Sequence, residues 1–198
     1  MLTFAAAVFF LLITPGPGVL STAGVGSGFG AAAGIRYVGG LFLGTNLVAL
    51  AVVSGLAAVL LADPRLRMAL FVLSAAYLLY LAVRIAFAGS RLAFIRRRRP
   101  PGVYGGIALQ VINPKAYAVN TTLFTGFSFL PGSLAAETLL KFLIINVIWV
   151  PIHFLWLWAG IKLGELDLPR RTHVAINAAM AVSMLLVVGL AVLAQFHV

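Results

Sequence analysis

The sequence predicts an all-α integral membrane protein with six transmembrane helices, and three observations lead to this fold class. Of the 198 residues, 63% are hydrophobic and 9% are charged, whereas a soluble domain has roughly 45–50% apolar and about 25% charged residues. The mean hydropathy is +1.11. Continuous apolar runs such as LVALAVVSGLAAVLLA differ from the roughly ten-residue alternating segments of a membrane β-barrel. The chain is therefore interpreted as a single transmembrane domain.

Six stretches are long and apolar enough to cross the membrane. About 20 residues of helix span the roughly 30 Å of hydrocarbon in a bilayer. Segments rich in charge, proline or glycine separate the stretches and hold most of the charged residues. The predicted spans run approximately over Leu2–Gly24, Tyr37–Ala62, Arg67–Ala88, Tyr104–Leu130, Leu139–Ile161 and Val174–Phe196.

Lysine and arginine are unevenly divided between the connections. The first, third and fifth connections hold nine of them, and the other side holds three. Because positive residues concentrate in cytoplasmic loops, the sequence predicts a multi-pass membrane protein with both termini outside the cytoplasm. The Arg-rich connection 91–101 is interpreted as a cytoplasmic topology anchor. The alternative interpretation is a lipid-headgroup or nucleic-acid patch.

Two proline steps divide the chain into equivalent halves. Thr14-Pro15 lies in the first span and Asn113-Pro114 in the fourth, and the two steps are 99 residues apart. Each half holds three spans. Because three is odd, the second half enters from the opposite side of the membrane, as in an inverted-topology repeat. The half-repeats cover roughly residues 1–98 and 99–198.

Both proline steps are typical of a helix that starts inside a span. Thr or Asn at the N-cap followed by Pro at the first helical position favours such a start, and Gly16 and Gly18 loosen the first break. Each start leaves unpaired N–H groups and a positive dipole end, which attract a carboxylate or phosphate. A plain proline kink is the alternative for one break, but two matching breaks favour a binding site.

Polar residues surround the two breaks. Lys115 lies about eleven residues into its span, where a charge costs roughly 2.5–3.5 kcal/mol, so it is predicted to bind a substrate carboxylate or to titrate. His153 is predicted either to take part in proton coupling or to be a hydrogen-bonded core histidine. Polar stripes at three- and four-residue spacing accompany them, formed by Gln110, Asn113, Tyr117, Asn120 and Thr121 on the fourth span and by Asn146, Trp149, His153 and Trp156 on the fifth. The predicted substrate-binding residues are Thr14, Pro15, Gly16, Pro17, Gly18, Asn113, Pro114, Lys115, Asn120, Asn146, Trp149 and His153.

Other small and polar residues are assigned structural roles. The glycine-rich stretch Gly24–Gly30 is predicted to form a tight re-entry turn after the first span. Gly40 and Gly44 are spaced for close helix packing. Asn46 and Asn177 are expected to form hydrogen bonds between helices.

The residue inventory argues against an enzyme. Cysteine is absent, which excludes disulfides, thiolate metal sites and a cysteine nucleophile. The histidines His153, His173 and His197 stand apart in the sequence, and the acidic residues lie at span ends or in connections. Metal sites need such ligands in clusters, and catalysis needs paired groups. No cofactor and no metal are expected.

Three segments carry a family resemblance. FFLLITPGPGVL in the first span, AAYLLYLAVRIAF in the third and GGIALQVINPKAY in the fourth resemble the lysine-exporter (LysE/RhtB) family of small bacterial membrane proteins. The resemblance covers most of the chain and implies proton-driven efflux of amino acids or related small metabolites from the cytoplasm, across the bacterial cytoplasmic (inner) membrane. The family's motif positions fall on Pro15, Gly16, Pro17, Asn113, Pro114 and Lys115.

The expected function is therefore a secondary transporter that exports an amino acid or similar zwitterion through a site between the two halves. A passive metabolite or ion channel, or an exporter of a different ion at the same site, is the alternative. The expected partners are a small-molecule substrate and membrane lipid, without nucleic acid. Six short spans are also compatible with a homodimer.

Overall fold

The computed structural model describes residues 1–86, 100–166, and residues 171, 172, 174–176, 178, 179, 182 and 186 of the C-terminal segment. Regular secondary structure in these ranges is helical throughout. Most of the predicted sixth span, most of the Arg-rich connection, and Asp167, His173, Asn177 and His197 lie outside the described residues. The helices are α1 (Leu2–Ile13), α2 (Pro17–Val53), α3 (Leu56–Ala62), α4 (Pro64–Ala86), α5 (Val103–Ile112), α6 (Pro114–Thr125) and α7 (Leu134–Glu165).

Within the described ranges, α2 and α7 are long and apolar enough to cross a membrane. Among the described helices, α2 packs most extensively against α7 and next against α5. The predicted third span corresponds to α4. The predicted first and fourth spans are each divided, into α1 with the start of α2 and into α5 with α6. The predicted second span is also divided, into the end of α2 and α3, with Gly55 at φ 76° between them. The described structure is therefore all-helical, and three of the predicted spans are interrupted in it.

Helix α2 reverses direction at Gly30. This glycine has φ 77° in an otherwise helical stretch. The Tyr37 hydroxyl donates a hydrogen bond of 3.0 Å to the Ser21 oxygen, although sixteen residues of straight helix would separate the two by about 24 Å. The chain therefore folds into two arms, 17–29 and 31–53. The predicted turn is present, but it occupies one residue, and Gly24–Val25–Gly26 is helical instead.

The first helix break differs in detail from the prediction. Thr14 ends α1, and its hydroxyl donates to the Phe10 carbonyl. The N-cap of α2 is Gly16 in an extended conformation, and Pro17 is the first helical residue. The prediction that Thr14 caps the following helix was wrong, because a hydroxyl bonded to the preceding turn is not available to the next one.

The second break has the predicted form. Asn113 lies at the end of α5 and caps α6, its side-chain oxygen accepting the Lys115 N–H at 3.1 Å. Pro114 follows as the first residue of α6. An Asn cap followed by proline at the first position satisfies one orphan N–H and removes another. The chain therefore starts a new helix within the predicted fourth span.

A reciprocal asparagine pair joins the second arm of α2 to α7. Asn46 and Asn146 each donate to the other's side-chain oxygen at 3.0 Å. Each also donates at 2.9 Å to the carbonyl four residues earlier, which belongs to Phe42 or Phe142. The segments Phe42-Leu43 and Phe142-Leu143 match at the same offset of 100 residues. The expectation that Asn46 bonds between helices is confirmed, and the inverted repeat stays a prediction that this symmetric contact supports.

Buried polar groups and exposed apolar groups occupy opposite faces of α7. Leu139, Leu143 and Val147 are exposed, whereas Lys141 and Trp149 are buried. Such an arrangement suits a helix with hydrocarbon outside, because lipid tails are as apolar as leucine. The face that carries polar groups is therefore the one that contacts other helices.

Glycines set the distance between α2 and α5. A Cβ on Gly40 would overlap the backbone of Val103, and a Cβ on Gly44 would lie 3.0 Å from the Ile107 Cα. The predicted close-packing role of this glycine pair is confirmed. Close backbone approach of this kind is how small residues stabilise helix pairs in membranes.

Replacing Gly40 with leucine is expected to separate α2 from α5. The new side chain would meet backbone, which has no rotamer to change, so the cost is about 3 kcal/mol or more. The midpoint of thermal unfolding in detergent measures the effect. Gly39→Leu is the matched control, because a Cβ at Gly39 meets nothing within 4 Å. Equal midpoints for the two variants would contradict the packing described.

Candidate functional site

A cavity of about 50 Å³ lies where the two helix breaks meet α7. The end of α1 and the start of α2 form one wall, the junction of α5 and α6 forms another, and α7 and the second arm of α2 close it. The cavity brings together most of the predicted residues. Those that line it are Thr14, Gly16, Gly18, Asn113, Lys115, Asn120, Trp149 and His153.

Lys115 crosses from one break to the other. Its Nζ donates a hydrogen bond of 2.7 Å to the Thr14 carbonyl, at the carbonyl end of α1. The ammonium has three N–H donors, and this is its one hydrogen bond within the described structure. Among the described residues that line the cavity, Lys115 is the one with a formal charge. The cavity therefore holds an ammonium group with N–H donors that make no hydrogen bond in the described structure, and its described lining has no acidic side chain.

Gly16 leaves room for this lysine. A Cβ at Gly16 would lie 2.9 Å from both Cδ and Nζ of Lys115, which is closer than van der Waals contact allows. The backbone at Gly16 is extended, a conformation that any residue adopts. The requirement for glycine is therefore one of space beside Lys115.

Gly16→Ala is expected to fold normally but to displace the Lys115 ammonium. The lysine tail is flexible, so the overlap is relieved by moving the side chain and the fold keeps its stability. Binding of an anionic ligand is expected to weaken about tenfold, the effect of roughly 1.4 kcal/mol from a distorted charge-assisted bond. Titration of ligand-dependent thermal stability measures it. Gly132→Ala, with nothing within 4 Å of its Cβ, is the control, and equal affinity in both would contradict the assignment.

A chain of hydrogen bonds fixes the orientation of two amides beside Lys115. The Lys115 backbone N–H donates to the Asn113 side chain. The atom that accepts this bond must be the amide oxygen, which fixes the orientation of the Asn113 amide. The Asn113 Nδ2 then donates to the Gln110 Oε1 at 3.2 Å. This leaves the Gln110 Nε2 without a partner in the described structure, and it lies 3.7 Å from the Cβ position of Gly18. The cavity therefore gains a second donor.

His153 and Trp149 form a stacked wall on α7. Their ring centroids are 3.5 Å apart and the planes differ by 13°. The His153 Nδ1 lies 3.0 Å from the Trp149 carbonyl, which can only accept, so Nδ1 carries the proton in the neutral ring. The other nitrogen, Nε2, faces Gly18 at 3.5 Å from its Cβ position. Nε2 is therefore an acceptor at the cavity, with no hydrogen bond in the described structure.

Asn120 supplies a second acceptor. Its Nδ2 donates at 2.8 Å to the Ala116 carbonyl one turn earlier. The side-chain oxygen is left without a partner within the described ranges, although the residue is buried. Donors and acceptors thus lie in the same small space.

The remaining predicted residues lie elsewhere. Pro15, Pro17 and Pro114 belong to the breaks but not to the cavity lining. Asn146 is engaged with Asn46, so the structure does not place it at the site. Two members of the fourth-span stripe also face away, because the break at Asn113 resets the helical phase. Tyr117 donates to the Val111 carbonyl at 2.8 Å, and Thr121 is exposed.

Two lining residues were not among the predicted binding residues. Gln110 and Thr45 both face the cavity. Both are polar residues inside predicted spans, and this polarity could have indicated a place at the site: Gln110 belongs to the fourth-span stripe, and Thr45 precedes Asn46. Apolar residues complete the lining, including Leu11, Val19 and Leu123.

A second polar cluster lies apart from the cavity at the start of α7. Glu137 and Lys141 form a buried ion pair of 2.8 Å. Lys141 also donates to the carbonyls of Phe124 and Phe127, and Glu137 accepts the N–H groups of Phe129 and Leu130. Both residues lie in the first two turns of α7, so Glu137 is at a helix end as expected, but the loop after α6 folds over the pair and buries it. The cluster ties that loop to α7.

Comparison with known proteins gives one informative relative. The chain is 30% identical over 202 aligned residues to an uncharacterized membrane protein of Pseudomonas aeruginosa, and the alignment covers 93% of this chain and 90% of the relative. No family model matches the sequence. No solved structure matches it.

Proposed function

The chain belongs to the same family as the uncharacterized membrane protein of Pseudomonas aeruginosa, and from that premise we propose that it is a secondary transporter that exports amino acids or related zwitterions. The observation that carries the proposal is Lys115. Its ammonium lies between two helix breaks, in a cavity whose described lining has no acidic side chain. The motifs around Pro15–Pro17 and Asn113–Lys115 resemble the lysine-exporter family and support the same function.

The two breaks provide the carboxylate half of the proposed site. Lys115 and the Gln110 Nε2 supply donors at the cavity, and Gly18 and Val19, in the first turn of the helix that starts at Pro17, line it at the positive end of that helix. Discontinuous helices bind anionic groups of cargo in this way in other transporters. The acceptors on His153 and Asn120 provide the other half, which suits an ammonium group.

The cavity volume implies that transport requires a change of conformation. About 50 Å³ accommodates a few water molecules, at roughly 10–15 Å³ of accessible volume for each, and an amino acid needs more. We propose that the two half-repeats rock against each other to admit the cargo. The Asn46–Asn146 pair joins equivalent positions in the two halves and would lie near the axis of that movement. Coupling to the proton gradient, six spans, and termini outside the inner membrane are parts of the same proposal.

Counterflow tests the proposed function. Proteoliposomes containing the purified protein are loaded with a mixture of unlabelled amino acids at millimolar concentration and diluted into a trace of labelled ones. A carrier accumulates label transiently above its equilibrium level. The exit of unlabelled cargo returns the binding site to the outer face, where it binds labelled cargo again. Equilibration without overshoot would indicate the alternative, a passive channel. Uptake equal to that of protein-free liposomes would contradict transport of amino acids altogether.

A further inference from the structure

The polar groups of the cavity are unequal in charge. Lys115 contributes one positive charge, and the buried groups without a partner are neutral: His153, Asn120 and Gln110 are 3%, 4% and 5% exposed. None of them compensates a second cation. The acidic residues of the described ranges are engaged elsewhere, since Asp63 accepts from Arg65, Glu137 pairs with Lys141 and Glu165 pairs with Lys162.

The rest of the cavity wall is apolar. Leu11, Val19, Val119, Leu123 and Ile145 line it beside the polar groups. A cargo carboxylate held by Lys115 and an ammonium held by neutral acceptors would direct the side chain of the cargo against this wall. A second ammonium there would be desolvated without a counter-ion and repelled by Lys115, and both effects oppose binding.

We infer that the site selects neutral α-amino acids with apolar side chains and rejects those with cationic side chains. This inference rests on the proposed function, and it adds the charge and polarity of the cargo. The selectivity arises from the absence of an acid in the described lining together with the positive charge of Lys115.

Norleucine and lysine form a matched pair of ligands for the test, because they share the carbon chain and differ in the terminal ammonium. Each competes, unlabelled, against labelled leucine in proteoliposome counterflow. Norleucine is expected to compete at least about 50-fold more effectively, given the repulsion and desolvation of an unpaired buried charge. Equal competition by lysine would overturn the inference and leave the proposed function intact. Failure of every amino acid to exchange would overturn the proposed function.

A substitution in the wall tests the cause of the selectivity. Thr45 lines the cavity; valine has the same branched shape as threonine, and aspartate is larger by one heavy atom. Thr45→Asp adds a negative charge and is expected to raise lysine competition relative to norleucine about tenfold or more, whereas Thr45→Val is expected to keep the wild-type ratio. An unchanged ratio in folded Thr45→Asp would contradict charge as the cause. If that variant does not fold, the wild-type ratio of lysine to norleucine still decides the inference.

Discussion

Lys115→Met is expected to remove amino-acid transport while leaving the protein folded and inserted in the membrane. Methionine retains the apolar stem and removes the ammonium that contacts the Thr14 carbonyl at 2.7 Å. A hydrogen bond to a charged group contributes about 1.5–3 kcal/mol, so the loss corresponds to roughly a 10- to 100-fold fall in transport at low cargo concentration. Initial rates of counterflow in proteoliposomes measure it.

Stability is not expected to suffer from this change. The variant removes a positive charge from a site where it has no acidic partner among the described residues, so the cost of holding that charge away from water is also removed. Lys162→Met is the matched control, because Lys162 is an exposed lysine paired with Glu165 at 2.7 Å. Wild-type transport by Lys115→Met would contradict a role for Lys115 in cargo binding.

Lys141→Met is expected to have the opposite profile, with a large loss of stability. Its ammonium contacts the Glu137 carboxylate and two carbonyls at the end of α6. Without it, the Glu137 carboxylate stays in a buried position with its counter-ion removed, and breaking a buried pair in this way is strongly destabilising. The midpoint of thermal unfolding in detergent is expected to fall by on the order of 10 °C.

The double variant Glu137→Gln/Lys141→Met separates charge from packing. Removing both charges leaves no unpaired ion in the buried cluster, so the midpoint is expected to recover part of the loss. Glutamine can still accept from the backbone N–H groups of Phe129 and Leu130. A double variant less stable than Lys141→Met would show that the carboxylate is not the source of the loss. Lys162→Met is expected to leave the midpoint nearly unchanged, because exposed ion pairs contribute little.

Local chemistry explains which parts of the fold were predictable from sequence. Proline lacks an N–H and fixes its φ angle, so the Asn113-Pro114 step determines where α6 begins whatever packs around it. Spacing alone indicated that Gly40 and Gly44 face a neighbouring helix. Lys115 could be predicted as a binding residue because a charged side chain deep in a membrane span is costly and usually has a functional role.

Long-range contacts explain what was missed. Asn146 lies on the same helix as His153, and sequence could not show that Asn46 would occupy its amide from another helix. The sequence places Glu137 and Lys141 near the end of a span, but it does not show that the loop after α6 covers them. The polar stripe on the fourth span was predicted for one continuous helix. The break at Asn113 resets the helical phase, and this changes which residues face the cavity.

In the proposed function, Lys115 binds the cargo carboxylate in the cavity between the two breaks. The most direct measurement is the thermal stability of purified wild-type protein and Lys115→Met with leucine or with leucinamide, which lacks the carboxylate. A ligand at 100 times its Kd adds about 2.7 kcal/mol to folded-state stability. Leucine is expected to raise the unfolding midpoint of the wild type by roughly 5–10 °C, leucinamide is expected not to, and Lys115→Met is expected to respond to neither. Equal stabilisation by leucinamide, or a full response of Lys115→Met to leucine, would contradict this role of Lys115.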